Sequence, residues 1–331
     1  MELLVRSFVV RALAASFALA LPQLATNCHA ETIRVAVQKT GTFSWELATI
    51  RQFGLDKEAN LSLQVTELAS PDVGKIAMLS GNADIILSDW LWVSRERTLG
   101  AKLTFYPYSS ALGAVMVPAS SPIRTLDDLK GRKLAVAGGP IDKSWLLLQA
   151  RLRRDGINLK SQSTIVYGAP PLLAAKALEG EWDASLNFWN FCAQLEAKGF
   201  RRLAGLEDIL PQLGAKGRVA LVGYVFDENW AASHGDVVAR FITMTRKAKE
   251  MLATSDAAWE KVAPLTGATD AAMLRTYRER YRDGIPRRSV DEEEADARIL
   301  YRVLAETGGR DLVGPAQELD PGTFYHAVPG G

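Results

Sequence analysis

The sequence predicts an α/β protein of two lobes, with parallel-rich sheets flanked by helices, a two-stranded hinge and a helical C-terminal section. Three observations carry that expectation. Short β-branched runs alternate with amphipathic helical runs from Thr32 to Lys198. The alternation pauses once, where two strand-like runs follow each other with no helix between them. After Phe226 the pattern is almost entirely helical.

Ahead of these elements, Arg6 and Arg11 supply a positive region and Ala12 to Leu21 a short apolar run. Cys28-His29-Ala30 then ends in a small residue. This reads as an export signal, residues 1–30, cleaved after Ala30 to release a soluble protein outside the cytoplasm. The run is too short to span a bilayer, as is every later apolar stretch. A lipid anchor on Cys28 is the competing reading, but Asn27 is bulky and polar where lipid attachment favours a small residue.

The first strand is Thr32 to Val37, alternating in polarity, and Trp45 to Phe53 follows with helical spacing and stops at Gly54. Leu61 to Leu68 is a strand, Asp72 to Leu79 a helix closed by Gly81, Ala83 to Leu87 a buried strand and Asp89 to Leu99 a helix. Lys102–Tyr108 and Leu112–Val117 are the two consecutive strands. Lys133–Ala137, a Gly-Gly-Pro loop and a helix from Ser144 to Arg154 resume the alternation. Thr164–Tyr167, Pro171–Leu178, Trp182–Asn187 and Trp189–Lys198 complete it. Gly217 to Phe226 is strand-like, and helices are expected over Asp236–Ala253, Asp270–Arg282 and Asp291–Ala305. The Gly- and Pro-rich tail from Gly308 reads as an irregular surface strap.

This order places an inserted second lobe at 113–218, between the parts of a first lobe at 31–112 and 219–331. The chain then crosses between lobes twice, near Tyr108–Ala114 and near Leu213–Val222. Two extended crossings make a hinge, with ligand expected in the cleft between the lobes and the C-terminal helices packed on the first lobe.

Bulk composition narrows the function. The 331 residues carry 39 Lys+Arg against 38 Asp+Glu, and removing Arg6, Arg11 and Glu2 with the signal leaves 37 of each. A neutral surface with no basic run gives no electrostatic reason to bind nucleic acid. Of two cysteines only Cys192 remains, so no intrachain disulfide is expected, and its apolar helical setting reads as a buried structural thiol. His-x-x-x-His, Cys-x-x-Cys and Gly-x-Ser-x-Gly are missing from the sequence, so no metal site, cofactor or hydrolase elbow is expected.

Three segments carry a family resemblance. Ala77-Met78-Leu79-Ser80-Gly81-Asn82-Ala83-Asp84-Ile85 resembles "A-L-x-x-G-x-A-D", and Leu126 to Val136 resembles "L-x-D-L-K-G-K-x-V-A-V". Ala174 to Ala184, with Asn187-Phe188-Trp189, resembles "A-A-L-x-x-G-x-x-D-A" followed by an aromatic at the next helix. Together, behind a signal peptide, they resemble the solute-binding proteins of ABC importers, in the group serving nitrate, aliphatic sulfonates, taurine and thiamine-precursor pyrimidines. The resemblance implies a type II periplasmic-binding-protein fold, a small-molecule ligand, an ABC permease of the inner membrane as partner, and a monomer. Yeast pyrimidine-synthesis enzymes of the same fold class depend on a Cys- and His-rich region that this chain lacks. Other readings are a sensor or accessory protein without a dedicated transporter and, more remotely, an enzyme on the same scaffold.

Ligand contacts in such a cleft come from loops beyond strand ends and from helix N-termini. The candidates after the first strand are Thr42, Ser44 and Trp45, where a hydroxyl either caps the helix or meets ligand. Ser88, Asp89 and Trp90 follow the third strand. Asp89 either caps or binds an amine, and one of Trp90 and Trp92, two apart on a helix, should be exposed. Ser110 lies at the first crossing. Gly139, Lys143 and Ser144 offer a free helix N-terminus for an anionic group, although Asp142 stands where a P-loop needs Gly. Asn187 and Trp189 close the set. Asp84 and Asp183 are expected as turn carboxylates capping local backbone amides, and Asp291-Glu292-Glu293-Glu294 as a helix-start run. Asp89 and the tryptophans lean toward a ligand with an amine or a flat apolar part.

Overall fold

A computed structural model describes residues 30–39, 41–68 and 70–326, so the expected export signal lies outside the described residues except for Ala30. The first run of elements is β1 (Glu31–Gln38), α1 (Phe43–Phe53), α2 (Leu55–Glu58), β2 (Leu61–Leu68), α3 (Pro71–Leu79), β3 (Ile85–Asp89), α4 (Trp90–Thr98) and β4 (Leu103–Ser109). The second is β5 (Ala114–Pro118), β6 (Lys133–Ala137), α5 (Lys143–Arg153), α6 (Leu159–Gln162), β7 (Thr164–Gly168), α7 (Pro170–Leu178), β8 (Ala184–Asn187), α8 (Trp189–Ala197), β9 (Phe200–Gly205) and α9 (Leu206–Ile209). The chain returns through β10 (Val222–Asp227), α10 (Glu228–Ser233), α11 (Gly235–Thr254), α12 (Asp256–Thr266), α13 (Ala271–Asp283), α14 (Val290–Gly308) and α15 (Arg310–Val313).

These strands form two five-stranded sheets, ordered β2-β1-β3-β10-β4 and β7-β6-β8-β5-β9. Both are mixed. β1, β2 and β3 run parallel, as do β6, β7 and β8, because helices cover their crossovers. In each sheet one strand runs antiparallel to both neighbours: β10 between β3 and β4, and β5 between β8 and β9. The alternation of helix and strand cannot show that reversal, because both reversed strands are the ones that follow a crossing.

The two lobes repeat one local device. Asp84 accepts from the Arg34 amide at 2.7 Å, and Asp183 accepts from the Lys133 amide at 2.7 Å. Each carboxylate precedes the third parallel strand of its sheet and ties down the first, after a turn at Gly81 (φ 71°) or Gly180 (φ 80°). Glycine takes that left-handed turn without the steric cost a side chain brings.

The helical section is shared between the lobes rather than packed on the first alone. α11 and α12 lie on α1, whereas α13 packs against α8 and α14 against α5. Ala297, Leu300, Tyr301 and Leu304 of α14 join Trp90, Leu146 and Leu148 in one apolar cluster that runs through both lobes. The tail is irregular but embedded: Leu312, Val313, Leu319 and Phe324 are buried, and Phe324 forms a parallel bridge with Phe105. Besides the short helices α2, α6, α9, α10 and α15, the sequence pattern missed β9 and α12. β9 hides behind Arg201-Arg202, whose charges are met by Ser121 and Ile123 carbonyls and by Glu207. α12 hides behind an internal Pro264. Among the described residues, no helix is long and apolar enough to cross a membrane.

Candidate functional site

Four helix N-termini, those of α1, α4, α5 and α8, bring the lobes together. At α4 the Asp89 carboxylate caps the helix, accepting from the Trp92 amide at 2.9 Å, while its second oxygen lies 2.8 Å from Lys143 Nζ. Lys143 is the first residue of α5, so the ion pair joins one lobe to the other. The α5 N-terminus is already occupied: Asp142 accepts from the amides of Ser144 at 2.9 Å and Trp145 at 3.4 Å. Gly138 (φ 82°) makes room for this, since a Cβ there would stand 3.0 Å from Asp142 Oδ2. The free amides expected for an anion at Gly139–Ser144 are therefore taken by the chain's own carboxylate.

The second meeting point is aromatic. Trp45 of α1 and Trp189 of α8 meet edge to face, with ring centroids 5.8 Å apart and planes at 85°. Trp259, Tyr277 and Tyr281 pack around Trp45 at 5.9, 5.6 and 6.3 Å. Edge-to-face pairs of this kind contribute about 0.5–1.5 kcal/mol beyond burial of their area.

The other expected residues divide by what they touch. Thr42 sits at the N-cap position of α1 without a capping bond, its hydroxyl 3.3 Å from Tyr108 Oη. Ser44 donates to the Gly41 carbonyl. Ser110 donates to the Gly284 carbonyl at 3.3 Å, fastening the first crossing to the α13–α14 loop. Asn187 is buried, its amide donating to Pro170 O at 3.0 Å and its oxygen accepting from Phe188 N at 2.8 Å. Ser88 Oγ and Trp145 Nε1 are buried without a hydrogen-bond partner among the described residues.

Trp90 does not reach the cleft. It is fully buried, donates through Nε1 to Ala220 O at 3.1 Å, and lies 6.5 Å from the Tyr301 ring. Trp92 is buried too, beneath Lys75 Nζ at 5.6 Å. α4 is enclosed on several sides by its own sheet, α14, α15 and the tail, so helical spacing alone misjudged it. The amine-binding role for Asp89 meets the same difficulty, since Lys143 and Trp92 already use both of its oxygens. Cys192 is buried, its thiol 3.1 Å from Asn187 O, and burial pushes it up to about 12.

Electrostatics reinforce the cross-lobe pair. Burial opposes ionisation of Asp89, yet Lys143 beside it and the Trp92 amide hold it below its ordinary value. Burial likewise disfavours the charged form of Lys143, and Asp89 with Asp142 raises it in net. Asp142 moves the other way: burial raises it to about 6 despite Lys143 and two amides. A cavity of about 80 Å³ lies against this cluster, lined by Lys75, Asp89, Trp92, Arg95, Lys143 and Asp311 among others.

A further polar centre was missed altogether. Glu46, next to Trp45, is fully buried and accepts from Lys249 Nζ and Tyr224 Oη, with Tyr281 Oη at 3.5 Å. Lys249 Nζ also stands 3.9 Å from the Tyr108 ring centroid. Burial pushes Glu46 up and Lys249 down, and each partner opposes the other's shift. In sequence, Glu46 looks like an ordinary acidic residue in a first helical turn, and Lys249 is 203 positions away.

The profile of the family described as NMT1/THI5 like matches residues 52–258. No curated protein sequence matches the chain. Among solved structures, the alkanesulfonate-binding protein SsuA of Xanthomonas axonopodis pv. citri, bound to MOPS, is 20% identical. It covers 87% of this chain and 96% of its own, with a TM-score of 0.64. The periplasmic aliphatic sulphonate binding protein SsuA of Escherichia coli is 18% identical, covering 91% and 97%, at a TM-score of 0.68. The desulfurization enzyme DSZB is 15% identical, covering 87% and 97%, at 0.57.

Proposed function

The chain belongs to the NMT1/THI5-like family, and from that membership we propose that it is the solute-binding component of an ABC-type importer. It works outside the cytoplasm, holds a small solute between its lobes and presents the closed form to an inner-membrane permease. The observation that carries this reading is the pairing of helix N-termini from opposite lobes, Asp89 with Lys143 and Trp45 with Trp189. Contacts of that kind form when the lobes close and part when they open. The lobes are taken as 31–112 with 219–331, and 113–218. Thr42, Ser44, Trp45, Lys143 and Trp189 are the contacts proposed for the solute.

Two features favour capture over catalysis. The single thiol among the described residues, Cys192, is buried with its proton held, and His234 is stacked on Trp230 and bonded to its carbonyl. The sulfonate ligands of the two SsuA proteins make aliphatic sulfonates the first class to try. Thermal-shift titration with alkanesulfonates, taurine and nitrate, alongside mass spectrometry of solute retained through native purification, tests the reading. A stabilising solute recovered intact supports it. A retained compound chemically converted by the protein would overturn it in favour of an enzyme.

A further inference from the structure

A cavity of about 530 Å³ opens where both crossing segments meet the loop between α13 and α14. Ser110 contributes from the first crossing and Arg218 from the second, Arg282 comes from the last turn of α13, and Arg287 and Arg288 come from the loop. Only Ser110 is shared with the residues at the lobe junctions. Four guanidinium groups thus line one cavity in a chain whose charges nearly balance overall.

A carboxylate partner neutralises only one of the four. Arg288 is paired with Asp296 at 2.7 Å. Arg218 donates to a neutral group, the backbone carbonyl of Asp283, at 2.5 Å. The Arg282 and Arg287 residues are exposed, and their guanidinium groups make no hydrogen bond or ion pair among the described residues. The two carboxylates at the cavity are committed elsewhere. Asp283 pairs with Arg280 at 3.3 Å, and Glu293 accepts from the Ala220 amide at 2.7 Å. Burial also raises Glu293 to about 7, which lessens its negative charge near neutrality.

Three guanidinium groups without a carboxylate partner around one concavity concentrate positive potential there. Their planar forks also match the oxygens of an oxyanion. We propose that this cavity binds a small oxyanion, held by Arg282 and Arg287 with Arg218 behind them. The anion is either free sulfate or phosphate, or the sulfonate or phosphonate head of a small organic molecule. Bound there, it would join both crossings to the α13–α14 loop, independently of any solute at the lobe junctions.

Calorimetric titration of the unliganded protein at low ionic strength tests this, with inorganic sulfate in one arm and methanesulfonate in the other. Wild type is expected to bind in at least one arm. Equal affinity in both arms assigns the site to free oxyanions, and a preference for methanesulfonate to organic head groups. The double variant Arg282→Ala/Arg287→Ala should weaken binding by on the order of tenfold per guanidinium lost. Its melting temperature should be kept, since neither side chain has a polar partner to lose. Should the double variant unfold, Arg287→Gln alone, read the same way, decides. Failure of wild type to take up either anion at millimolar concentration overturns the proposal, as does undiminished affinity in the variants.

Discussion

Asp89 serves two helices at once, and the two roles separate by substitution. Asn retains a capping oxygen for the Trp92 amide but removes the charge that Lys143 answers. Asp89→Asn should therefore leave α4 intact and loosen the lobe contact, read as a larger radius of gyration in small-angle scattering. Asp89→Ala should in addition cost about 1 kcal/mol of stability from the lost cap. The pair has a defined pH window. The folded-state value of Asp89 lies below the ordinary 3.8, so its contribution is present above about pH 4 and lost as pH falls toward that lower value. Lys143 lies above 10.5, so its contribution is present below that pH and lost as pH rises further. Asp142 has the opposite sign: raised to about 6, it holds its proton better folded than unfolded, so stability falls between about pH 4 and 6. Asp142→Asn keeps an acceptor for Ser144 N and should be at least as stable as wild type at pH 7. That difference should vanish near pH 4 in urea melts. The cap at Asp89 was legible in sequence because its amide partner lies in the same helix start, whereas Asp84 and Asp183 read as local turn carboxylates and instead hold the amides of Arg34 and Lys133, each 50 positions away. Glu46 was not legible, because its partner arrives from a helix 203 residues away.

Among the elements, α4 and α8 both begin with a tryptophan, yet the two rings have different surroundings. Trp90 is sealed within the apolar cluster shared by both lobes, so Trp90→Ala should cost about 3–5 kcal/mol in denaturant unfolding. Trp189 retains 9% exposure beside Trp45, and Trp189→Ala should weaken solute binding by roughly 1–3 kcal/mol. If the two variants lose equal stability and Trp189→Ala binds solute normally, Trp189 is core and does not belong to the site. The first crossing is held by close backbone approach. A Cβ on Gly113 would stand 1.8 Å from Asn187 O, and one on Gly284 2.4 Å from the Ala111 Cβ. Gly113→Ala should accordingly lower the melting temperature sharply, because the obstructing atom is backbone and cannot swing aside. Helix and strand boundaries mostly fell within two residues of the sequence reading, since Gly54, Gly81 and Pro170 punctuate them locally. β9 and α12 were lost where charge or proline masked the period.

For the whole molecule, closure predicts that a tight solute alters tryptophan emission through Trp45 and Trp189 while far-ultraviolet circular dichroism stays constant. A solute that binds tightly yet changes neither emission nor scattering would count against moving lobes. The two-lobed plan was legible because the alternation pauses at Tyr108–Ala114, and a pause without a helix marks a crossing. The bridging of both lobes by α13 and α14 was not, because an amphipathic helix shows that it has a partner but not which one.

β10 occupies an interior place in the first sheet, between β3 and β4, yet it is made only after every strand of the second sheet. The second sheet is continuous in the chain, Ala114 to Gly205, and can assemble from its own residues. The first must wait, with the edges of β3 and β4 unpaired, until Val222–Asp227 is available. Assembly order is thereby written into topology: long-range pairing comes late, and exposed strand edges are the hazard while it is pending. In pulse-labelled hydrogen exchange during refolding, amides of β6, β7 and β8 should gain protection before those of β3 and β4. A protein built this way tolerates a delay between synthesis and completion, as long as something shields those two edges until the last strand arrives.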